Sequence, residues 1–339
     1  MNYPYPCRIS TYFVLLIVSF RLMSPSPTLS QPSLQEIADQ MEATLKAIGD
    51  HAVLYTVQRD GPDGYVKLVL SGRESPYRGR CFREEIYQYK GVPDSFREMA
   101  IFDGTISRSF NPASNQGSIQ GFIQGDNFLD ILTVLPPLLL SPDSPENYYR
   151  RIMGAEIPNI LRGEVEYIKP DPLIQSLDGN YNIVNLIAKT AKGEIRYQVT
   201  FDQNHGMLPV KIFRQTRADE NSPWKDVLQH SILEWMTLED GVHFPKTGVQ
   251  TVYDMDFQPT KFEVISLVRN VDIQSLADSF AFPAGCEITD HRTGSRTKIE
   301  RTSSDTGIDI ETQQISLFPK ALGITLDDAM AMFNDILKE

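Results

Sequence analysis

The sequence predicts a mainly β protein with helices, an α+β chain organised around one large antiparallel sheet that curves around its helices. Three observations predict it. Short runs alternate apolar and polar residues and are bounded by two-residue turn signals. One amphipathic helix precedes all of them. A single strongly aliphatic segment interrupts them in the middle of the chain. Closely spaced strands joined by tight turns make an antiparallel meander, because parallel strands would need long crossover connections. The turn spacing leads to an expectation of about nine to eleven strands in a single curved sheet.

The first thirty residues read as a targeting segment. Arg8 gives a positive start, Tyr12 to Phe20 is an apolar run, and a polar, Pro-rich stretch follows from Ser24 to Pro32. That run is about half of what a bilayer-spanning helix needs, so a cleaved secretory signal over residues 1–30 is expected, with no stable transmembrane span afterwards. The mature chain is then exported, periplasmic or otherwise extracytoplasmic. Arg21 just past the apolar run and the lack of an Ala-x-Ala motif keep an uncleaved anchor open.

Next comes a helix over about Ser33–Gly49. Leu34, Ile37, Met41, Leu45 and Ile48 recur at steps of three and four, Ser33 and Glu36 form a capping box, and Gly49 supplies the stop. The strands follow: Val53–Gln58, Val66–Leu70, Cys81–Tyr89 and Arg97–Phe102, with turns at Asp60-Gly61, Asp63-Gly64, Lys90-Gly91 and Asp103-Gly104. The clearest alternation is Ile195, Tyr197, Val199 and Phe201 against Arg196, Gln198 and Thr200. It runs through Asn204-His205-Gly206 into Leu208–Arg214. Val227–Leu238, Thr247–Tyr253 and Lys261–Val268 complete the set.

A helical insert over about Asp126–Leu161 breaks the meander, and Pro136-Pro137 ends or kinks any helix within it. Residues 294–316 are polar and read as a linker. Residues 317–339 form a helical tail, with Thr325 and Asp328 as cap and Leu326, Met330, Phe333 and Leu337 as its apolar stripe.

The composition narrows the partners. The chain has 339 residues with a formal net charge of −12, which opposes nucleic acid and broad docking on anionic lipid headgroups. Of three cysteines, Cys7 leaves with the signal. Cys81 and Cys286 remain in an oxidising compartment, as one long-range disulfide or as two separately buried thiols.

No phosphate loop, Gly-rich dinucleotide turn, Cys-x-x-Cys, His-Glu-x-x-His or Gly-x-Ser-x-Gly is present. Asp254 and Asp256 form an Asp-x-Asp, Asp240 and His243 flank a turn, and Asp290-His291 lies near a strand end. The first reads as a metal-binding pair or as carboxylates on one solvent face or flanking a turn. The other two read as metal or proton-shuttle pairs or as hydrogen-bonded turn residues. No histidine pair has ligand spacing, and the structural readings are the simpler ones. Glu84 and Glu85 are adjacent, so a strand sends them to opposite faces, which does not suit a paired acid/base site. No catalytic residue, metal site or cofactor is assigned.

The aliphatic insert carries more content. Phe128, Ile131, Leu132, Leu135 and Leu138 are its candidate ligand-binding residues. They complete the core beneath a curved sheet, or act as a plug over a cavity that admits an acyl chain, and both can hold together.

The first helix (LQEIADQMEATLKAIG), the run Tyr197–Pro209, Glu234-Trp235 with Asp240–Pro245, and Phe280–Gly285 followed by Asp290 and Thr293-Gly294 resemble the LolA/LolB-like lipoprotein-carrier fold, shared with the sigma-factor regulator RseB. The resemblance covers about residues 33–293. It implies a half β-barrel wrapping the first helix and a helical plug. It implies, too, a non-enzymatic envelope protein that holds a lipid or lipoprotein acyl chain. The regulator branch implies the alternative, a protein-interaction module that docks a partner through its sheet or its C-terminal helix.

Overall fold

The computed structural model describes residues 31–74, 80–120, 157–166, 168–190, 193–253, 258–300 and 315–338. The expected signal over residues 1–30, most of the insert and the Asp254/Asp256 pair lie outside the described residues.

The helix expected first is present as α1, Leu34–Ile48. Ser33 caps it with both hydrogen bonds of the box, and the Gly49 N–H closes it on the Leu45 carbonyl. Its Ile37, Ala38 and Met41 are fully buried.

One curved, unclosed sheet follows. The first meander is β1 (His51–Arg59), β2 (Tyr65–Arg73), β3 (Cys81–Tyr89), β4 (Phe96–Phe102), β5 (Ser107–Asn111) and β6 (Gln116–Gln120). The short helix α2 (Ile157–Leu161) precedes β7 (Ile168–Pro170) and β8 (Gln175–Leu177). The second meander is β9 (Tyr181–Thr190), β10 (Gly193–Asp202), β11 (Leu208–Arg217), β12 (Lys225–Thr237), β13 (His243–Val252) and β14 (Thr260–Arg269). Helix α3 (Ile273–Asp278), strands β15 (Glu287–Asp290) and β16 (Ser295–Lys298), and helices α4 (Phe318–Leu322) and α5 (Leu326–Ile336) end the chain.

Among the described residues the sheet has sixteen strands, where about nine to eleven were expected. Strand β9 is the largest omission. Its apolar residues fall on both parities (Ile183, Val184, Leu186, Ile187), which hides the period of two. Strands β5, β6, β15 and β16 are short and polar.

The two meanders join through the antiparallel pair β1–β14, and β15 adds to β6 in parallel. Side chains alternate across a strand, so the register assigns every residue to a face. Two cores result. In the first, Val53, Tyr55 and Val57 of β1 join Val184, Leu186, Tyr197, Val199, Phe201, Phe262 and Val264 beneath α1 and α2. In the second, Ala52 and Leu54 of the same strand join Leu68, Leu70, Phe82, Ile86, Met99, Ile101 and Phe110 beneath α3, α4 and α5. The second meander therefore buries one face of the sheet and the first meander buries the other. Strands β1 and β2 are covered on both.

Arginines fasten the covering helices. Arg269 on β14 donates to the Ile48 and Ala47 carbonyls at the C-terminus of α1. Arg108 on β5 donates to Ala277 O and Phe280 O at the end of α3. Arg269 satisfies carbonyls that the end of α1 leaves without an intrahelical donor, and both cations sit where a helix dipole favours positive charge.

The tail is docked: Phe318, Ala329 and Phe333 are buried in the second core. The span read as a linker begins with strand β16 and ends at Ser316, itself 7% exposed; residues 301–314 lie outside the described set.

Candidate functional site

The α1 face of the sheet changes character along its length. Across β9–β14 and β1 it is apolar and forms the first core. Beyond β2 the same face turns polar. Following the register outward from β1, one row reads Tyr55, Val69, Glu85 and Glu98, with Asn111, Gln116, Glu287 and Lys298 beyond. The neighbouring row reads Val53, Ser71, Arg83, Ala100, Ser109, Ser118, Thr289 and Arg296.

Where apolar gives way to polar, an aromatic and cationic cluster sits at the strand ends. Tyr87 and Phe96 stack at 5.5 Å, with Tyr89 against both. The Lys67 ammonium lies 5.4 Å from the Tyr65 ring and 5.1 Å from the Tyr87 ring, and reaches Glu85 at 3.4 Å. Arg59 lies over Tyr65 at 4.8 Å. Burial raises the Glu98 pKa above the ordinary carboxylate range; Arg83 opposes this and Glu85 adds to it. Burial, then the carboxylate of Glu98, raises Tyr87 as well.

On the opposite face Glu84 is fully buried. Arg97 pairs with it at 2.6 Å, Ser316 Oγ donates at 3.1 Å and the Leu317 N–H at 2.5 Å, while Arg97 also donates to the Ile315 carbonyl. Burial drives the Glu84 pKa upward, and Arg97 and the Leu317 N–H pull against it. This buried pair is a clamp on the start of the C-terminal tail. Glu84 and Glu85 do part to opposite faces, as a strand requires.

Cys286 is a free thiol, so the Cys81–Cys286 cross-link left open by the sequence is not formed. The physical reason lies in the register. Cys81 faces the α1 side of β3, opposite Phe102, whereas Cys286 is buried in the second core. Burial, then Glu287, pushes the Cys286 thiol up to about 11.

The remaining sequence candidates are structural. Asp240 pairs with Arg269 at 2.6 Å, and Asp290 pairs with Arg292 at 2.7 Å, which lowers the Asp290 pKa to about 2. His243 packs edge-on to His205, which stacks on Trp235 at 4.4 Å and bonds Asp202 at 2.7 Å. Among the described residues no group of three or more His, Cys, Asp or Glu is placed to hold a metal ion, and no helix is long and apolar enough to cross a membrane. Phe128, Ile131, Leu132, Leu135 and Leu138 lie outside the described residues. The polar rows and the Glu84 clamp are what sequence reasoning missed. The only signal was the low apolar content of β5 and β6, which argued against calling them strands at all.

Fold and site define a class: an open, curved antiparallel sheet with a capped helix on one face. Neither a protein-family model nor a curated protein matches the sequence. Among solved structures, the chain is similar to a domain from Vibrio parahaemolyticus described as outer membrane lipoprotein-sorting, at 13% identity over 71% of this chain and 93% of that one, with a TM-score of 0.44. It is similar to a LolA superfamily protein from Nitrosomonas europaea, at 10% identity over 71% and 94%, with a TM-score of 0.40. A DUF1329 family protein from Desulfovibrio piger matches at 8% identity over 70% and 92%, with a TM-score of 0.45.

Proposed function

We propose that this chain is an exported, non-enzymatic binding protein that holds a lipid or lipoprotein acyl chain against the α1 face of its sheet. One observation carries the reading. The aliphatic insert leaves the polar half of the sheet at β6 and re-enters at α2, whose Ile157, Ile160 and Leu161 are buried in the first core beside α1. The insert's most apolar stretch therefore belongs to a connection between the two halves of the sheet. Each buried methylene contributes roughly 0.8 kcal/mol, so an acyl chain gains affinity there without a charge pair. The acidic balance does not oppose this, because acyl burial needs no basic headgroup site.

The regulator-like alternative through a free C-terminal helix is less favoured, since the buried side of α5 already packs in the second core. The test uses a fluorescent fatty-acyl probe. Leu132→Asp and Leu135→Asp are expected to weaken its binding while circular dichroism shows the sheet intact. Probe binding unchanged in both folded variants, or absent from the wild type, overturns the reading.

A further inference from the structure

We propose that the polar trough crossing β4, β5, β6, β15 and β16 is a binding site for a neutral oligosaccharide. This goes beyond the acyl-chain reading and does not depend on it. The trough is a cavity of 470 Å³ whose lining includes Glu98, Ser109, Gln116, Ser118, Thr289 and Arg296. Its length follows from the sheet: four strand-to-strand steps of about 4.8 Å, about 19 Å in all. Each step advances by close to the length of one sugar unit, and from β5 onward each strand offers a polar side chain in both rows.

The chemistry selects the ligand class. Glu98 and Glu287 are offset by Arg296 and Lys298, with Lys298 and Glu287 3.7 Å apart, so the site carries no excess of either sign. A polyanion or polycation would meet as much repulsion as attraction. The two rows hold no large apolar side chain beyond β4, which disfavours an acyl tail. Groups able to hydrogen bond are in surplus. The lining adds the Asn111 and Gln116 amides and the Thr297 hydroxyl to the side chains of the second row. The Ser109 and Ser118 hydroxyls share one 2.7 Å bond across β5 and β6 and keep lone pairs for a ligand. Sugar hydroxyls both donate and accept, so they match acceptors such as Glu98 and donors such as Arg296 along one trough.

The test is calorimetric titration of the full chain with cellotetraose, maltotetraose and N-acetylchitotetraose, alongside an uncharged extended octapeptide. At least one tetrasaccharide is expected to bind. Ser118→Val should weaken it by about tenfold and Arg296→Ala by about threefold, the scale of one lost hydrogen bond. Arg296 is exposed on the last strand, so its variant folds and keeps the site falsifiable should Ser118→Val fail to fold. Binding of the acyl probe by Arg296→Ala should be unchanged, which separates this site from the one above. Absence of heat with all three sugars, binding indifferent to both variants, or binding of the peptide alone overturns the proposal.

Discussion

The two halves of the sheet solve the same problem on opposite faces. The second meander buries the face under α1 and leaves Glu194, Arg196, Gln198 and Thr200 of β10 on the other. The first meander buries that other face under α3, α4 and α5 and leaves its α1 side polar. Each half uses the same devices. A phenylalanine lies directly across from a glycine, Phe262 on Gly248 in the first core and Phe82 on Gly72 in the second. An arginine fastens a helix C-terminus, and a capping-box helix closes the core. They differ in how they treat charge. The second core holds a buried ion pair, Glu84 with Arg97, whereas the first holds a neutral buried histidine, His230. A sheet can therefore reverse its buried face midway, provided that the strands at the reversal are apolar on both sides. Strands β1 and β2 are: Ala52 to Tyr55 and Leu68 to Leu70 are buried without a break.

The largest expected effect breaks the second half. Glu84→Ala leaves Arg97 buried without its carboxylate and should cost about 3–5 kcal/mol in denaturant unfolding. Glu84→Leu with Arg97→Met should recover part of that loss, because packing replaces the ion pair while the Leu317 N–H and the Ser316 hydroxyl lose their acceptor. If Glu84→Ala unfolds like the wild type, the clamp contributes little.

The next tests the first half through pH. Burial lowers the His230 pKa from 6.5 to about 4. The folded state therefore holds the ring neutral while the unfolded chain takes up a proton below pH 6.5. Stability from this group is fully present above pH 6.5 and falls as pH drops towards 4, by an amount on the order of 3 kcal/mol. His230→Leu should flatten that part of the stability profile, and an unchanged slope between pH 6.5 and 4 would contradict the assignment.

The glycine positions sharpen the symmetry between halves. A Cβ at Gly72 meets the Phe82 ring and His51 O, and one at Gly248 meets the Phe262 ring and Ser231 O. Gly72→Ala and Gly248→Ala should each destabilise by about 1–3 kcal/mol. A shift in melting temperature for one alone would show that the halves are not equivalent in packing. The smallest effect concerns the caps: Ser33→Ala and Thr325→Ala should each lose about 1 kcal/mol. Hydrogen exchange should report the first loss in α1 and the second in α5, and exchange spread evenly over both helices would argue against separate cores.

What the sequence determined by itself was local. The capping boxes at Ser33 and Thr325, the stop at Gly49, the Asp-Gly and Lys-Gly turns and the Ile195–Phe201 alternation are set by neighbours a few residues apart, and each is found where it was read. The antiparallel class followed from them, since tight turns permit no other pairing. Tertiary structure decided the rest. Hydrophobic alternation says that a strand has an inside, but which face is inside depends on which helix arrives to cover it. Only the β1–β14 pairing, between strands some two hundred residues apart, places α1 on one face and the tail on the other. That same long-range register separates Cys81 from Cys286, buries Glu84 against Ser316, and lines up side chains from five strands into a trough that no single segment of the chain contains.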